Sequence, residues 1–264
     1  MVDMAAVERE VGEELAFAHE LADIADRIST GRFRSRDLRI EHKVDTSPVT
    51  ETDLAVERAL VDRITRDRPD DAVIGEELGA NGREGNGYRW ILDPIDGTKS
   101  YVRGNETWAT LIALQHDDET VVAVASAAAF GSRYHATLRG GAFVNGDRLR
   151  VSTVNRVEQA IIAHTHVLSY ERVGKERQFL ALAERCWDSR GFGNSLGHLS
   201  VARGTVDIAW TPRGAIWDFA ALKLIVEEAG GRFTDASGVV RADGGNGVST
   251  NGILHDAVMT AIRD

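Results

Sequence analysis

Ten consecutive residues, Trp90-Ile91-Leu92-Asp93-Pro94-Ile95-Asp96-Gly97-Thr98-Lys99, constrain the fold more than any other stretch of this chain. An apolar run of strand length stops abruptly at two carboxylates three residues apart, then passes into Gly-Thr. Asp93 and Asp96 bracket a proline that fixes the turn, so both side chains and the carbonyl of Ile95 can converge on one point. Hard divalent cations seek an all-oxygen cluster of that kind. Gly97 and Thr98 then offer backbone N–H groups where a helix can begin, a seat for an anionic phosphate. Metal and phosphate at one strand end point to metal-assisted phosphoryl transfer.

On its own, Asp-Pro followed by Asp-Gly is ordinary turn chemistry. Two further segments weigh against that reading. Upstream, Ala72-Val73-Ile74-Gly75-Glu76-Glu77 is another short apolar strand ending in paired acids. Downstream, Ile216-Trp217-Asp218-Phe219 sets an acid beside a tryptophan at the start of an apolar helix. Glu76 and Glu77 alone could be a solvated strand end, and Asp218 alone a helix cap. Three such coincidences in one chain favour a site.

Composition excludes several classes. At 264 residues, 43% hydrophobic and 27% charged, the chain can bury a substantial core. No stretch reaches the roughly 18 consecutive apolar residues that a membrane span needs, so no membrane segment is expected. Met1-Val2-Asp3-Met4 shows no basic leader before an apolar run, so no secretory signal is expected either. Cys186 stands alone, which excludes an internal disulfide framework or a cysteine zinc site and makes a reducing cytoplasm the expected compartment. A net charge of −10 argues against nucleic acid as a partner, because phosphate backbones demand a basic surface. A phosphorylated substrate must therefore be held by metal ions and local donors rather than by the overall field.

Periodicity sets the coarse organisation. Apolar residues recur at helical spacing from Met4 to Ser29 and from Thr52 to Asp67, with Thr50 or Thr52 as cap and Asp53 in the first turn of the second helix. Lys43 precedes it in an extended segment, and Ala80 to Tyr88 reads as a hairpin loop. Strand-like runs follow at 107–114, 120–130 and 134–138, then a hairpin through Asn145-Gly146. Val151 to Arg156 reads as a hinge that divides the chain into residues 1–150 and 151–264. The second half reads as strand 160–164, helix 175–186, a Gly-rich turn 190–195, helix 196–203, strand 206–210, helix 217–229, strand 232–234, and a final strand and helix. Without strict β-α-β alternation, a layered α/β architecture with mixed sheets is expected rather than a Rossmann domain. His164-Thr165-His166 lacks a third ligand for zinc, and neither a G-x-S-x-G elbow nor a Walker P-loop occurs.

The set Gly75-Glu76-Glu77, Asp93-Pro94-Ile95-Asp96-Gly97-Thr98 and Trp217-Asp218 resembles the inositol monophosphatase family of magnesium-dependent, lithium-sensitive phosphatases. Thr50-Glu51-Thr52-Asp53, Gly141-Ala142-Phe143-Val144-Asn145-Gly146 and Glu228-Ala229-Gly230-Gly231 match as well, over roughly residues 40 to 255. The resemblance implies an αβαβα layered sandwich, commonly dimeric, with metals between its halves. Residues 1–150 would carry most metal ligands, and residues 151–264 would supply Asp218 and the specificity residues. It further implies that Glu76, Asp93 and the Ile95 carbonyl hold one Mg2+, that Asp93, Asp96 and Asp218 hold a second, and that Glu76 helps hold a weaker third. Mn2+ would substitute and Li+ inhibit. Gly97 and Thr98 amides, beside Asp96, would take the phosphate, while Thr98 and Asp53 orient the attacking water. Lys43, Lys99 and Arg103 receive no role.

Within the family, Lys99, Tyr101, Arg103 and Trp108 resemble the histidinol-phosphate phosphatases, as does Thr211 where inositol phosphatases place a glutamate. Gly193-Asn194 departs from the Gly-Asp common in those enzymes. L-Histidinol phosphate is the expected substrate, with inositol monophosphate, fructose 1,6-bisphosphate or a nucleotide 3′-phosphate as alternatives. The expected specificity wall is Arg190, Asn194, Ser195, Thr211 and Arg213; Asp207 and Glu106 are the nearest acids in sequence for a cationic amine. The rival outside enzymes is a catalytically silent binding module on the same fold. It is disfavoured because no expected metal ligand is missing.

Overall fold

The computed structural model describes residues 11–43, 47–82 and 86–263. In chain order the elements are α1 (Val11–Arg32), β1 (Ile40–His42), β2 (Pro48–Thr50), α2 (Glu51–Asp67), β3 (Ala72–Gly75), β4 (Gly79–Gly82), β5 (Tyr88–Asp96), α3 (Thr98–Val102), β6 (Ala109–His116), β7 (Glu119–Ala127), β8 (Ser132–Thr137), β9 (Gly141–Val144) and β10 (Asp147–Arg148). There follow β11 (Ile161–His164), α4 (Leu168–Arg172), α5 (Glu176–Arg185), β12 (Asp188–Gly191), α6 (Asn194–Ala202), β13 (Ile208–Thr211), α7 (Ile216–Glu228), β14 (Arg232–Thr234), β15 (Gly247–Thr250) and α8 (His255–Arg263). The part of the first expected helix before Val11 lies outside the described residues.

Among the described residues β1 and β2 form a small antiparallel pair, and the other strands form two mixed sheets. Eight strands lie in the order β10-β9-β8-β7-β6-β5-β3-β4, and five in the order β12-β11-β13-β15-β14. Alternation along the central strands of the larger sheet decides what covers each face. Trp90 and Leu92 of β5, Ile112 and Leu114 of β6, and Val122 and Val124 of β7 pack beneath α1 and α2 with Phe17, Leu21, Val56 and Leu60. The opposite face is rich in alanine, with Ala109, Ala113, Ala123, Ala125 and Ala136 beside Ile91, Leu111 and Tyr134, and receives α6 and α7 through Leu199, Phe219, Leu222 and Val226. The smaller sheet is covered on its outer face by α5 and α8, with Ile162, Ile208 and Val248 against Phe179, Leu182, Val258 and Ile262. Helices, sheet, helices, sheet, helices: the architecture is an αβαβα sandwich.

Two expectations need correction. The Gly-rich turn expected at 190–195 begins inside strand β12, which pairs parallel with β11 through Arg190 and Gly191. Ala80 to Tyr88 is not simply a loop, because Gly79–Gly82 pairs antiparallel with β3 as an edge strand. The reversal at residues 76–78 is tight enough to return the chain along β3, and its amides find a buried acceptor described below.

Candidate active site

The two acids of the opening motif end β5. In a regular pleat, residues three apart point to opposite faces. The pairing of β5 with β6 is irregular between Asp93 and Asp96, and Thr110 Oγ1 donates to the Pro94 carbonyl at 2.8 Å within that irregularity. Proline, lacking an N–H, suits a position where the ladder is interrupted. The bulge turns both carboxylates the same way. Ile95 itself is buried against Tyr101, Trp108 and Phe33, which anchors the bulge from below.

Asp218 approaches from the second half of the chain, in the first turn of α7, where its Oδ2 accepts the Ala215 N–H at 2.5 Å. Asp93, Asp96 and Asp218 each bring one oxygen to within 4.8 Å of the others. Burial pushes the Asp93 carboxyl well above the usual range, and the neighbouring Glu76, Asp96 and Asp218 push it further. Burial and Asp96 raise Asp218 likewise. Asp93 Oδ1 is buried with no hydrogen-bond donor. Crowded carboxylates with an orphaned oxygen fit a hard cation, which neutralises the charge and fills the vacant coordination.

Glu76 follows β3 with its N–H on the Leu92 carbonyl of β5 at 3.2 Å. Lys43 reaches across to pair with both Glu76 and Glu77 at 2.7 Å. Burial alone would lower the Lys43 pKa, but these two carboxylates outweigh it and raise the value. Burial pushes Glu77 up to about 7 against the pull of the lysine.

Thr98 begins α3, directly after Gly97, whose φ of 91° places it in the left-handed region. A Cβ there would lie 2.7 Å from the Thr107 carbonyl, so glycine is required twice over. Thr98 Oγ1 lies 3.2 Å from Asp53 Oδ1 and 3.1 Å from the Ile95 carbonyl. Asp53 is locked in turn: its Oδ2 accepts the Thr50 N–H at 2.9 Å and the Thr50 hydroxyl in a capping box at the start of α2. Burial lifts the Asp53 pKa, and the Thr50 hydrogen bonds oppose that rise.

These groups share a cleft of about 360 Å³, walled by Glu76, Asp93, Asp96, Thr98 and Asp218 and edged by Lys99 and Arg213, both exposed. Thr211 lines it too. A smaller cavity of about 60 Å³ shares Asp96, Thr211 and Asp218 with the cleft and reaches Ser195 and His198. The Ser195 N–H donates to Asp96 Oδ2 at 2.8 Å. Arg190 is not brought to the cleft; it is exposed and pairs with Asp188. Asn194 opens α6, and only its backbone is described. Asp207 is buried under the Ile161 N–H and Ser152, and Glu106 pairs with Arg34, so neither acid lines the cleft. Tyr101 and Trp108 are core residues.

Three residues join the site without having been singled out for it. His166 lines the cleft with Thr165 and Ser169, whereas His164 packs on Phe179, so the two imidazoles part company. His198 holds the Thr211 hydroxyl through Nε2 at 3.0 Å and Ser249 through Nδ1 at 2.7 Å; burial pushes its pKa down to about 4. Glu57, fully buried on α2, accepts the N–H groups of Glu77 and Leu78. Its position four residues after Asp53, on one helix face, was the available signal.

The fold is a layered α/β sandwich that brings a carboxylate cluster, able to hold a cation, together from the end of β5 and the first turn of α7. The chain belongs to the inositol monophosphatase family, whose sequence profile matches residues 10–264. It is 43% identical over 256 residues to a histidinol-phosphatase of Mycobacterium tuberculosis, covering 95% of this chain and 98% of that one. It is 40% identical to a histidinol-phosphatase of Streptomyces coelicolor, covering 94% and 96%. An IMPase of Thermotoga maritima superposes with a TM-score of 0.86 at 30% identity, covering 95% of this chain and 97% of that one.

Proposed function

We propose that this protein is a metal-dependent phosphoric monoester hydrolase whose substrate is L-histidinol phosphate. The convergence of Asp93, Asp96 and Asp218 beside the Thr98–Asp53 pair carries the chemistry; the histidinol-phosphatase relatives carry the substrate. In this reading Glu76, Asp93 and the Ile95 carbonyl hold one cation, Asp93, Asp96 and Asp218 a second, and Glu76 a weaker third. Mg2+ is the working ion, Mn2+ a substitute and Li+ an inhibitor. Bound cations of this kind neutralise phosphate charge and make water a better nucleophile at neutral pH.

The protein's own groups do the rest. Thr98, donating to Asp53, keeps its lone pairs for an O–H of the attacking water, and Asp53 fixes the hydroxyl's direction. Gly97 and Thr98 amides, with Asp96 beside them, seat the phosphoryl group. Water attacks phosphorus in line, the ester P–O bond breaks, and the alcohol leaves with a proton as inorganic phosphate forms. Ser195, Thr211, Arg213 and Asn194 contact the organic part; Arg190, tied to Asp188, would have to release that partner to join them. The reading includes a homodimer, and a cytoplasmic location suited to the single cysteine, Cys186, whose thiol burial pushes up to about 11. No helix among the described residues is long and apolar enough to cross a membrane.

One observation favours inositol 1-phosphate instead. Asp207 and Glu106 are engaged elsewhere, and Thr165, Ser169 and Thr211 offer the cleft neutral hydroxyls that suit a polyol. Comparing kcat/KM for histidinol phosphate, inositol 1-phosphate, fructose 1,6-bisphosphate and a nucleotide 3′,5′-bisphosphate decides the matter. A preference for histidinol phosphate of at least roughly tenfold, about 1.4 kcal/mol, is expected. A smaller preference ends the histidinol assignment, and no phosphate release with any divalent cation ends the enzyme reading.

A further inference from the structure

Helix α2 presents Asp53 and Glu57 one turn apart on the same face, and both are fully buried. Asp53 fixes Thr98 at the end of β5, as described above. Glu57 acts at the end of β3. Its Oε2 accepts the Glu77 N–H at 2.8 Å and its Oε1 accepts the Leu78 N–H at 2.7 Å. Both oxygens of one carboxylate are thus spent on consecutive amides of the turn that follows Glu76. The residue before that turn is Gly75, and a Cβ there would fall 1.9 Å from Glu57 Oε1. The strand end is stripped of a side chain where the carboxylate enters. On its other side, the Glu76 N–H is held by the Leu92 carbonyl. The backbone at Glu76 is therefore gripped from two directions, by β5 and by α2.

We propose that Glu57 is a positioning residue that clamps the turn after β3, so that Glu76 is presented to the cleft at a fixed height relative to Asp93. With Asp53 on the same face, α2 becomes a template that sets the distance between the Glu76 end of the site and the Thr98 end. A buried carboxylate in this place has no other evident use, since it does not line the cleft and takes its two hydrogen bonds from backbone alone. The proposal rests on the reading that Glu76 holds a cation, and the experiment separates the two.

Mg2+ and Mn2+ binding to metal-stripped protein is measured by calorimetry for the wild type, Glu57→Gln, Glu57→Asp and Glu76→Gln, alongside kcat, KM and amide hydrogen exchange. Glu57→Gln keeps the shape but replaces one acceptor by a donor; Glu57→Asp keeps the charge but is one methylene short of both amides. Both are expected to weaken cation binding by roughly 10–100-fold, the scale of outer partners of metal ligands, and to lower kcat while KM moves less than about threefold. Exchange at Glu77 and Leu78 should accelerate in both variants. Should a variant fail to fold, the wild type still tests the clamp: in metal-free protein these two amides should exchange as slowly as those of β5. Fast exchange there overturns the proposal. So does wild-type cation affinity in Glu57→Gln when Glu76→Gln has lost it. If Glu76→Gln itself binds cations as the wild type does, the ligand reading of Glu76 fails, and the proposal falls with it.

Discussion

At Asp93 a fully buried carboxylate faces three others and leaves Oδ1 without a donor. Asp218, by contrast, keeps a backbone hydrogen bond from Ala215 and some exposure to the cleft. Neutralising the first removes the common point of the cluster; neutralising the second removes one corner. Asp93→Asn is expected to lower kcat/KM by more than the roughly 10–100-fold typical of an outer partner, and no Mg2+ concentration should restore it. Asp218→Asn should chiefly raise the Mg2+ needed for half-maximal rate. Rate measurements over a Mg2+ titration check both, and equal small effects would mean the site lies elsewhere. Asp93→Asn should also raise the stability of the metal-free protein, since it removes charge that nothing compensates there; urea unfolding in a chelator tests this.

At the scale of elements, the site depends on how β5 ends. A bulge at Pro94–Ile95 aims the two aspartates, and a left-handed Gly97 turns the chain into α3. Gly97→Ala sets a methyl 2.7 Å from the Thr107 carbonyl, a backbone atom that cannot swing away. The variant is expected to lose about 1–3 kcal/mol in chemical denaturation and to fall in kcat as Thr98 is displaced from Asp53. Wild-type stability in this variant would show that α3 can be re-laid without strain. The helices contribute differently. Helix α2 brings its cap Thr50 as well as Asp53 and Glu57 to the site, and α7 brings Asp218 while its apolar length fills the space between the sheets.

Across the whole molecule, two imidazoles tie helices to opposite faces of the smaller sheet. His198 of α6 bonds Ser249 and Thr211, and His255 of α8 bonds Thr250 and Thr234. Burial holds both near a pKa of about 4 in the folded protein, below the 6.5 of an unfolded chain. Between those values the unfolded state binds protons that the folded state excludes, so stability is full above about 6.5 and falls as pH drops toward 4. Each imidazole contributes a slope of up to about 1.4 kcal/mol per pH unit. Urea unfolding from pH 7 to 4.5 should show this loss, and His198→Gln should make it shallower. An unchanged pH profile in that variant would place the acid sensitivity elsewhere.

Much of this was legible in the sequence because it is local. Helix α2 announces itself through its Thr50–Asp53 cap and 3.6-residue pattern, β5 through Trp90-Ile91-Leu92 ahead of its two acids, and the β9–β10 turn through Asn145-Gly146. The oxygen-rich strand end was visible for the same reason: residue type and spacing along a few positions state what chemistry is possible there. Tertiary structure decided what pairs across distance. Sequence spacing of three does not say that Asp93 and Asp96 share a side; a bulge opposite β6 does. The i, i+4 spacing from Asp53 puts Glu57 on the same helix face but does not say that it accepts amides twenty residues on, and nothing near Asp207 or Glu106 reveals that each already has a partner away from the cleft. Charged and polar groups are satisfied by whichever partner the fold brings within about 3 Å, and that distance exists only once the sheets and helices have packed.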